Sequence, residues 1–268
     1  MISLIDTHCH IDLPAFDEDR EAVLSRALAK GVHAMVVVGH NPERWRTTAR
    51  LQGQCPFLVR TVGLHPNDAS QWTVDVEKAL EAELQRGDAV AVGETGLDFF
   101  RDSAPPDLQR AAFEAQIGLA KQLDLPIVIH QRAAETEVLE MVRSLGPVRG
   151  VLHCFSGDEA FANACLEAGL MLGVGGVATY PKSDAIRAAL AVAPLDNIVV
   201  ETDAPYLAPQ SWRGKRNEPA YVVAAAEILA TIHDLPVDVV AERTSANAIR
   251  LFGDQLVTAQ QSGRTRAE

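Results

Sequence analysis

The sequence predicts a single (β/α)8 barrel. Short apolar runs alternate eight times with longer amphipathic ones, the signature of a parallel sheet covered by helices. The residues able to do chemistry collect just where those apolar runs end, and in a barrel such ends share one rim. The length of 268 residues suits one such barrel. An open doubly wound sheet is the alternative, but no Gly-x-Gly-x-x-Gly turn follows the first run.

In chain order, Ile2 to Ile5 reads as a short buried strand ended by Asp6-Thr7-His8-Cys9-His10. Residues 17–30 read as a helix with Ala22, Leu24, Ala27 and Leu28 on its apolar stripe, stopped by Gly31. Strand and helix then alternate at 34–38 and 42–52, with Pro42 in the helix's first turn. They continue at 57–62 and 74–86, at 89–92 and 107–123, and at 126–129 and 136–145. The last units are 150–152 with 159–168, 170–174 with 183–193, and 198–200. Closing helices are expected at 219–232 and 237–251, the latter additional to the eight units. One domain over residues 1–257 results, with 258–268 a polar, frayed tail.

Composition narrows the class. Apolar residues make up 47% and charged residues 22%, as in globular proteins with a substantial core. No apolar run reaches the length of a membrane span, so no membrane association is expected. The first strand begins too near Met1 for a cleavable leader. Cys9, Cys55, Cys154 and Cys165 show neither Cys-x-x-Cys spacing nor a disulfide pattern, which points to a reducing cytoplasm. A net charge of −12 disfavours a module that coats nucleic acid through a broad basic face. It leaves room for an enzyme that grips a polyanion through a metal site and a few cations in a cleft.

The site is read from the strand ends. Side chains at i and i+2 of a strand share a face, so His8 and His10 point together and Cys9 points away. Glu94 follows the fourth strand, His130 ends the fifth, His153 the sixth, and Asp203 follows the eighth. Four imidazoles and two carboxylates are enough donors for two divalent ions if one carboxylate bridges, and Glu94 is the candidate bridge. Cys154, next to His153, is expected on the opposite face. Two ions about 4 Å apart suit water-driven displacement at phosphorus or at a carbonyl. Asp203 is the candidate ligand and general base. His65 is a candidate to orient a substrate phosphate or to act behind the ligands. The run Trp212 to Asn217, with Arg213 and Arg216, is the densest basic segment and a candidate phosphate contact. Asp6 and Glu201 are read as groups behind the ligands, and His33, His40 and His233 as ordinary surface or capping histidines.

Seven motifs together resemble the TatD-type metal-dependent deoxyribonucleases of the amidohydrolase superfamily. They are Asp6 to His10, Gly63-Leu64-His65-Pro66, Gly93 to Asp98, Leu125 to His130, Val151 to Gly157, Glu201 to Leu207 and Arg213 to Pro219. The resemblance spans residues 4 to 253. It implies a (β/α)8 barrel hydrolysing DNA, with metal ligands at His8, His10, Glu94, His130, His153 and Asp203 and a substrate-phosphate role near His65 and the Arg213 loop. Gln131, Arg132-Ala133-Ala134 and Asn67 depart from the family pattern without removing a ligand, and bear on substrate preference.

The expectation is therefore a cytoplasmic 3′–5′ exodeoxyribonuclease using two divalent cations. Magnesium or manganese is expected for activity, and the nitrogen-rich donors also suit zinc, nickel or iron. DNA is the expected partner, single-stranded or frayed at its ends, with no membrane and no obligate protein partner. An ester or amide hydrolase, such as an aminoacyl-tRNA deacylase, is the second reading. A non-catalytic nucleic-acid binding module is the third.

Overall fold

A computed structural model describes residues 2–267; Met1 and Glu268 lie outside the described residues. Eight parallel strands form one sheet in the order β1 to β8. They are β1 (Leu4–Cys9), β2 (Val32–Gly39), β3 (Leu58–Val62), β4 (Ala89–Asp98), β5 (Ile127–Arg132), β6 (Gly150–Leu152), β7 (Leu170–Val174) and β8 (Ile198–Val200). Between them run α1 (Arg20–Ala29), α2 (Pro42–Gln54), α3 (Val74–Leu84), α4 (Pro106–Gln122), α5 (Glu135–Ser144), α6 (Glu159–Glu167) and α7 (Asp184–Val192). After β8 come α8 (Val223–His233), α9 (Val237–Phe252) and α10 (Asp254–Ala267).

The barrel closes between its first and last strands beyond the end of β8. Cys9 pairs with Ala204, the Asp203 N–H donates to the His8 carbonyl at 2.9 Å, and the His10 N–H donates to the Ala204 carbonyl at 2.8 Å. Asp6 reinforces this seam. It accepts from the Thr202 N–H at 2.9 Å and hydroxyl at 2.6 Å, so β1 and the end of β8 are tied at the depth of the site.

Two apolar layers follow from strand alternation. One cluster takes residues from all eight strands, among them Ile5, Val36, Val59, Val128, Val151 and Val199, and fills the barrel. The other lies between the sheet and the helices and includes Met35, Val37, Phe113 and Leu229. Leu251 and Phe252 of α9 and Leu256 and Ala259 of α10 join the inner cluster. Helix α10 runs beside the N-terminal ends of the strands, where the Gln255 amide donates to the Gly87 carbonyl and Gln260 to Ser3. The opposite end is left for the site.

Four elements differ from expectation. Residues 258–267 are not frayed: they continue α10, because Leu256, Ala259 and Gly263 are buried against the barrel floor. The expected boundary at 257/258 thus falls inside a helix. Strand β4 runs to Asp98 instead of stopping at Val92, and β5 to Arg132, so Glu94 and His130 lie within strands. Glycine permits the extension. Gly93 and Gly96 have φ of +138° and +139°, and a Cβ at Gly96 would collide with the His130 carbonyl oxygen. Helix α1 starts at Arg20, after a 3-10 turn at Pro14–Phe16.

Leu256→Ala is expected to lower unfolding free energy by about 2–4 kcal/mol. Urea unfolding followed by circular dichroism reads this directly, whereas a tail merely resting on the surface would leave the midpoint unchanged.

Candidate metal centre

The C-terminal rim gathers side chains from every strand except β7. His8 and His10 come from the end of β1, His40 from just past β2 and His65 from just past β3. Glu94 and Asp98 lie in β4 and His130 in β5. His153 follows β6, and Glu201 and Asp203 follow β8. They lie in and beneath a cleft of about 600 Å³, a size suited to a small molecule or one end of a chain.

Glu94 is at the centre. Its Oε2 lies 3.4 Å from His8 Nε2 and 3.9 Å from His10 Nε2. Its Oε1 faces the other way, 2.9 Å from His130 Nδ1, 3.4 Å from His65 Nε2 and 3.5 Å from His153 Nε2. Asp203 Oδ1 lies 3.3 Å from His10 Nε2 and 3.9 Å from His8 Nε2. The two Nε2 atoms of His8 and His10 are 3.3 Å apart. Donors held about 2.1 Å from one ion in a tetrahedral shell are about 3.4 Å apart, so this spacing fits a shared cation. The buried Nδ1 atoms of His8 and His10 have no hydrogen-bond partner, and both rings turn Nε2 toward Glu94 and Asp203. Among the described residues, His8-His10-Glu94, His65-Glu94-His130 and His8-His153-Glu201 could each hold a metal ion.

The hydrogen bonds around the rings separate ligands from donors. His130 Nε2 faces Asp98 Oδ2 at 3.2 Å, which puts the ring proton there and leaves the Nδ1 lone pair toward Glu94. His153 sets Nδ1 3.0 Å from Glu201 Oε1, outside good hydrogen-bonding geometry, and turns Nε2 inward. His65 is the reverse case. Its Nδ1 accepts from the Asn67 N–H at 3.0 Å, so Nε2 carries the proton and donates. That favours His65 as a donor to an anion over His65 as a ligand.

Electrostatics follow from burial and proximity. Burial pushes the Glu94 carboxyl up, but His65, His153 and His8 more than reverse it and hold it well below its usual range. Burial also raises Asp203, and His10 and His153 bring it below its usual value. His8 is lowered by burial and by His153. Burial lowers His153, yet Glu201 and Glu94 raise it to about 10. Asp6, buried without a full countercharge, is pushed up to about 8. Burial raises Asp98, and its bonds to His130 and the Arg101 N–H bring it down to about 2.

All six expected ligands and His65 converge in this cluster. Arg216 is not brought to the cleft. It pairs bidentately with Asp19 at 2.7 and 2.9 Å and lies over the Phe16 ring. Arg213 donates to the Tyr180 hydroxyl at 2.9 Å and stacks on that ring, beside the cleft and not among its lining residues. The motif instead has a structural role. Asn217 donates to the Thr202 and Tyr206 carbonyls and fixes the loop that carries Asp203.

Two expectations on faces are overturned. His40 is a cleft residue, its ring 5.3 Å from that of His10, with burial pushing it down to about 3. It stands directly after β2, and that position was the available signal. Cys154 lines the cleft because its φ of +50° ends the strand alternation used to place it. Cys9 does face away, its thiol 3.6 Å from the Val36 carbonyl. Arg101 and Arg132 also line the cleft; the sequence marks Arg132 as a departure from the family pattern and gives no sign of Arg101.

The sequence model of the TatD related DNase family matches residues 5–253. The chain belongs to this family. It is 36% identical over 263 residues to a protein of Citrobacter rodentium named 3′-5′ ssDNA/RNA exonuclease TatD, covering 96% of this chain and 100% of that one. It is also 36% identical over 251 residues to the Bacillus subtilis protein named uncharacterized metal-dependent hydrolase YabD, covering 93% and 98%. The crystal structure of YJJV, a TatD homologue from Escherichia coli K12, superposes with a TM-score of 0.88 at 32% identity, covering 93% and 97% of the two chains. The chain is thus a metal-dependent hydrolase of the TatD family, and the buried histidine–carboxylate cluster is where such a metal fits.

In this TatD barrel Asp98 orients His130 without joining the donor set. Asp98→Ala is expected to weaken divalent-cation binding by about 10- to 100-fold. Calorimetric titration of manganese into the metal-free protein measures the change, and unaltered affinity would refute the orienting role.

Proposed function

We propose that the chain is a 3′–5′ exonuclease that hydrolyses phosphodiesters at single-stranded or frayed DNA ends. The observation carrying this reading is the two-sided environment of Glu94, each oxygen facing its own histidine set. In this reading His8, His10, Glu94 and Asp203 hold one divalent cation, and Glu94, His130 and His153 a second, with magnesium or manganese supporting activity. Bound ions of this kind polarise a phosphoryl group and lower the pKa of water.

The chain's own residues supply the rest. Asp203 is held ionised beside His10 and His153 and takes the proton of the attacking water. His65 presents Nε2–H to a phosphoryl oxygen, its tautomer set by the Asn67 N–H. Arg101 and Arg132 line the cleft and offset the strand's charge within an otherwise acidic protein. The matched TatD of Citrobacter rodentium is named a 3′-5′ ssDNA/RNA exonuclease, which supports the reading. The cytoplasm fits four free cysteines, and no described helix is long and apolar enough to cross a membrane.

Metal-stripped protein supplied with magnesium or manganese and 5′-labelled single-stranded DNA is expected to shorten the strand stepwise from its 3′ end. Asp203→Asn is expected to slow this by about 10²- to 10⁴-fold with circular dichroism unchanged. An intact strand with every metal, together with rapid hydrolysis of an aminoacyl-tRNA ester, would overturn the nuclease reading in favour of the ester one.

A further inference from the structure

Three of the six exposed large apolar side chains among the described residues, Phe100, Tyr206 and Leu207, stand at or beside this one cleft. Phe100 is 67% exposed and Tyr206 54%. They come from different loops, Phe100 after β4 and Tyr206 after β8. The Tyr206 ring stands 5.9 Å from that of His10.

Phe100 is ordered from below. Asp98 Oδ1 accepts from the Phe100 N–H at 3.1 Å and from the Arg101 N–H at 2.9 Å. Neighbouring Phe99 bonds the Arg132 carbonyl through its N–H and packs on the core. The Arg132 guanidinium, which lines the cleft, lies 4.0 Å from the Phe100 ring centroid. One side of the ring is therefore backed by a cation and most of the rest is left in water. Phe100, Tyr206 and Leu207 leave apolar surface in water together at one cleft, and such grouping at a loop-built cleft is characteristic of a binding surface.

We propose that Phe100, backed by Arg132, and Tyr206 form a stacking subsite for an unpaired nucleobase of the strand whose phosphate lies at the metal centre. The inference rests on the nuclease reading above and adds the residues that hold the base. A stacked ring accepts any base through its π face, which suits a nuclease without sequence preference. Arg132 strengthens the ring's hold on a polyanionic ligand and, with Arg101, meets its phosphates. A base inside a duplex has both faces covered by its neighbours, so only an unpaired or frayed nucleotide reaches this surface.

The test uses short fluorescein-labelled single strands that are intact or carry a tetrahydrofuran abasic unit at the terminal or penultimate 3′ position. Binding to the metal-free protein is followed by anisotropy, and kcat/KM for cleavage is measured in manganese. The wild-type protein is expected to bind one of the two abasic strands about 5- to 150-fold more weakly than the intact strand. Phe100→Ala is expected to bind the intact strand that weakly and to lose the dependence on the base, while Phe100→Trp restores both. Equal wild-type binding of intact and abasic strands overturns the subsite, as does full base dependence in Phe100→Ala. Base-dependent binding without cleavage keeps the subsite and removes the nuclease reading. Cleavage with the same kcat/KM for intact and abasic strands does the opposite, and the absence of both strand binding and cleavage in manganese removes both.

Discussion

The constraint on which this structure turns is one buried carboxylate. Glu94 lies in the barrel wall with its two oxygens facing opposite ways, and an isolated charge there would be costly. Compensation has to reach both oxygens, so imidazoles are needed from β1 on one side and from β5, β6 and the end of β3 on the other. Those strands are neighbours of β4 only in part. Closing the sheet is what brings β1 and β6 within reach of the same carboxylate. The seam between β1 and the end of β8, with Asp6 gripping Thr202, therefore supports the site as directly as it supports the fold. The same need explains the glycines of β4, where Gly93 lets the chain pass β5 at a separation no side chain permits.

Most of this was legible in the sequence because two periodicities are independent of tertiary detail. Apolar runs of strand length alternating with amphipathic stretches identify the barrel, and the residue ending each run identifies the rim. That rule places His8, His10, Glu94, His130, His153 and Asp203 at one rim, where the structure brings them together. The rule works because backbone direction is common to all strands of a parallel barrel. It fails where the chain leaves extended geometry. Cys154 at φ +50° turns into the cleft although alternation assigns it to the other face. His40 obeys the rule, but its position after β2 is a signal that a capping histidine ahead of α2 would share. Helix α10 was hidden for another reason. Its apolar residues are few, and their burial depends on the floor of the barrel, which is assembled from eight distant segments.

The basic segment after β8 shows how charge in a sequence underdetermines its use. Arg213, Lys215 and Arg216 form the densest cationic run, and the end of β8 is where a phosphate site is commonly built. Yet Arg216 is committed to Asp19 and neighbouring Glu218 to Arg26, stitching the loop to α1. These pairs join residues nearly 200 positions apart, so local sequence gives no sign of them. The arginines that line the cleft are isolated ones, Arg101, which nothing in its local sequence marks, and Arg132, marked only as a departure from the family pattern.

Asp98 links these two levels. One of its oxygens faces His130 and directs that ring's lone pair toward Glu94, while the other takes the N–H groups of Phe100 and Arg101. A single buried carboxylate thus sets the orientation of a donor at the metal centre and the position of the aromatic and cationic rim above it. The two parts of a strand's terminal nucleotide, phosphate and base, would meet surfaces that are fixed relative to each other by that one side chain. Rigid spacing between a charge site and a stacking site measures the distance from phosphate to base without reading the base itself. An acidic protein can then act on a polyanion without a broad basic face, because recognition is confined to the few ångströms around one end of the chain.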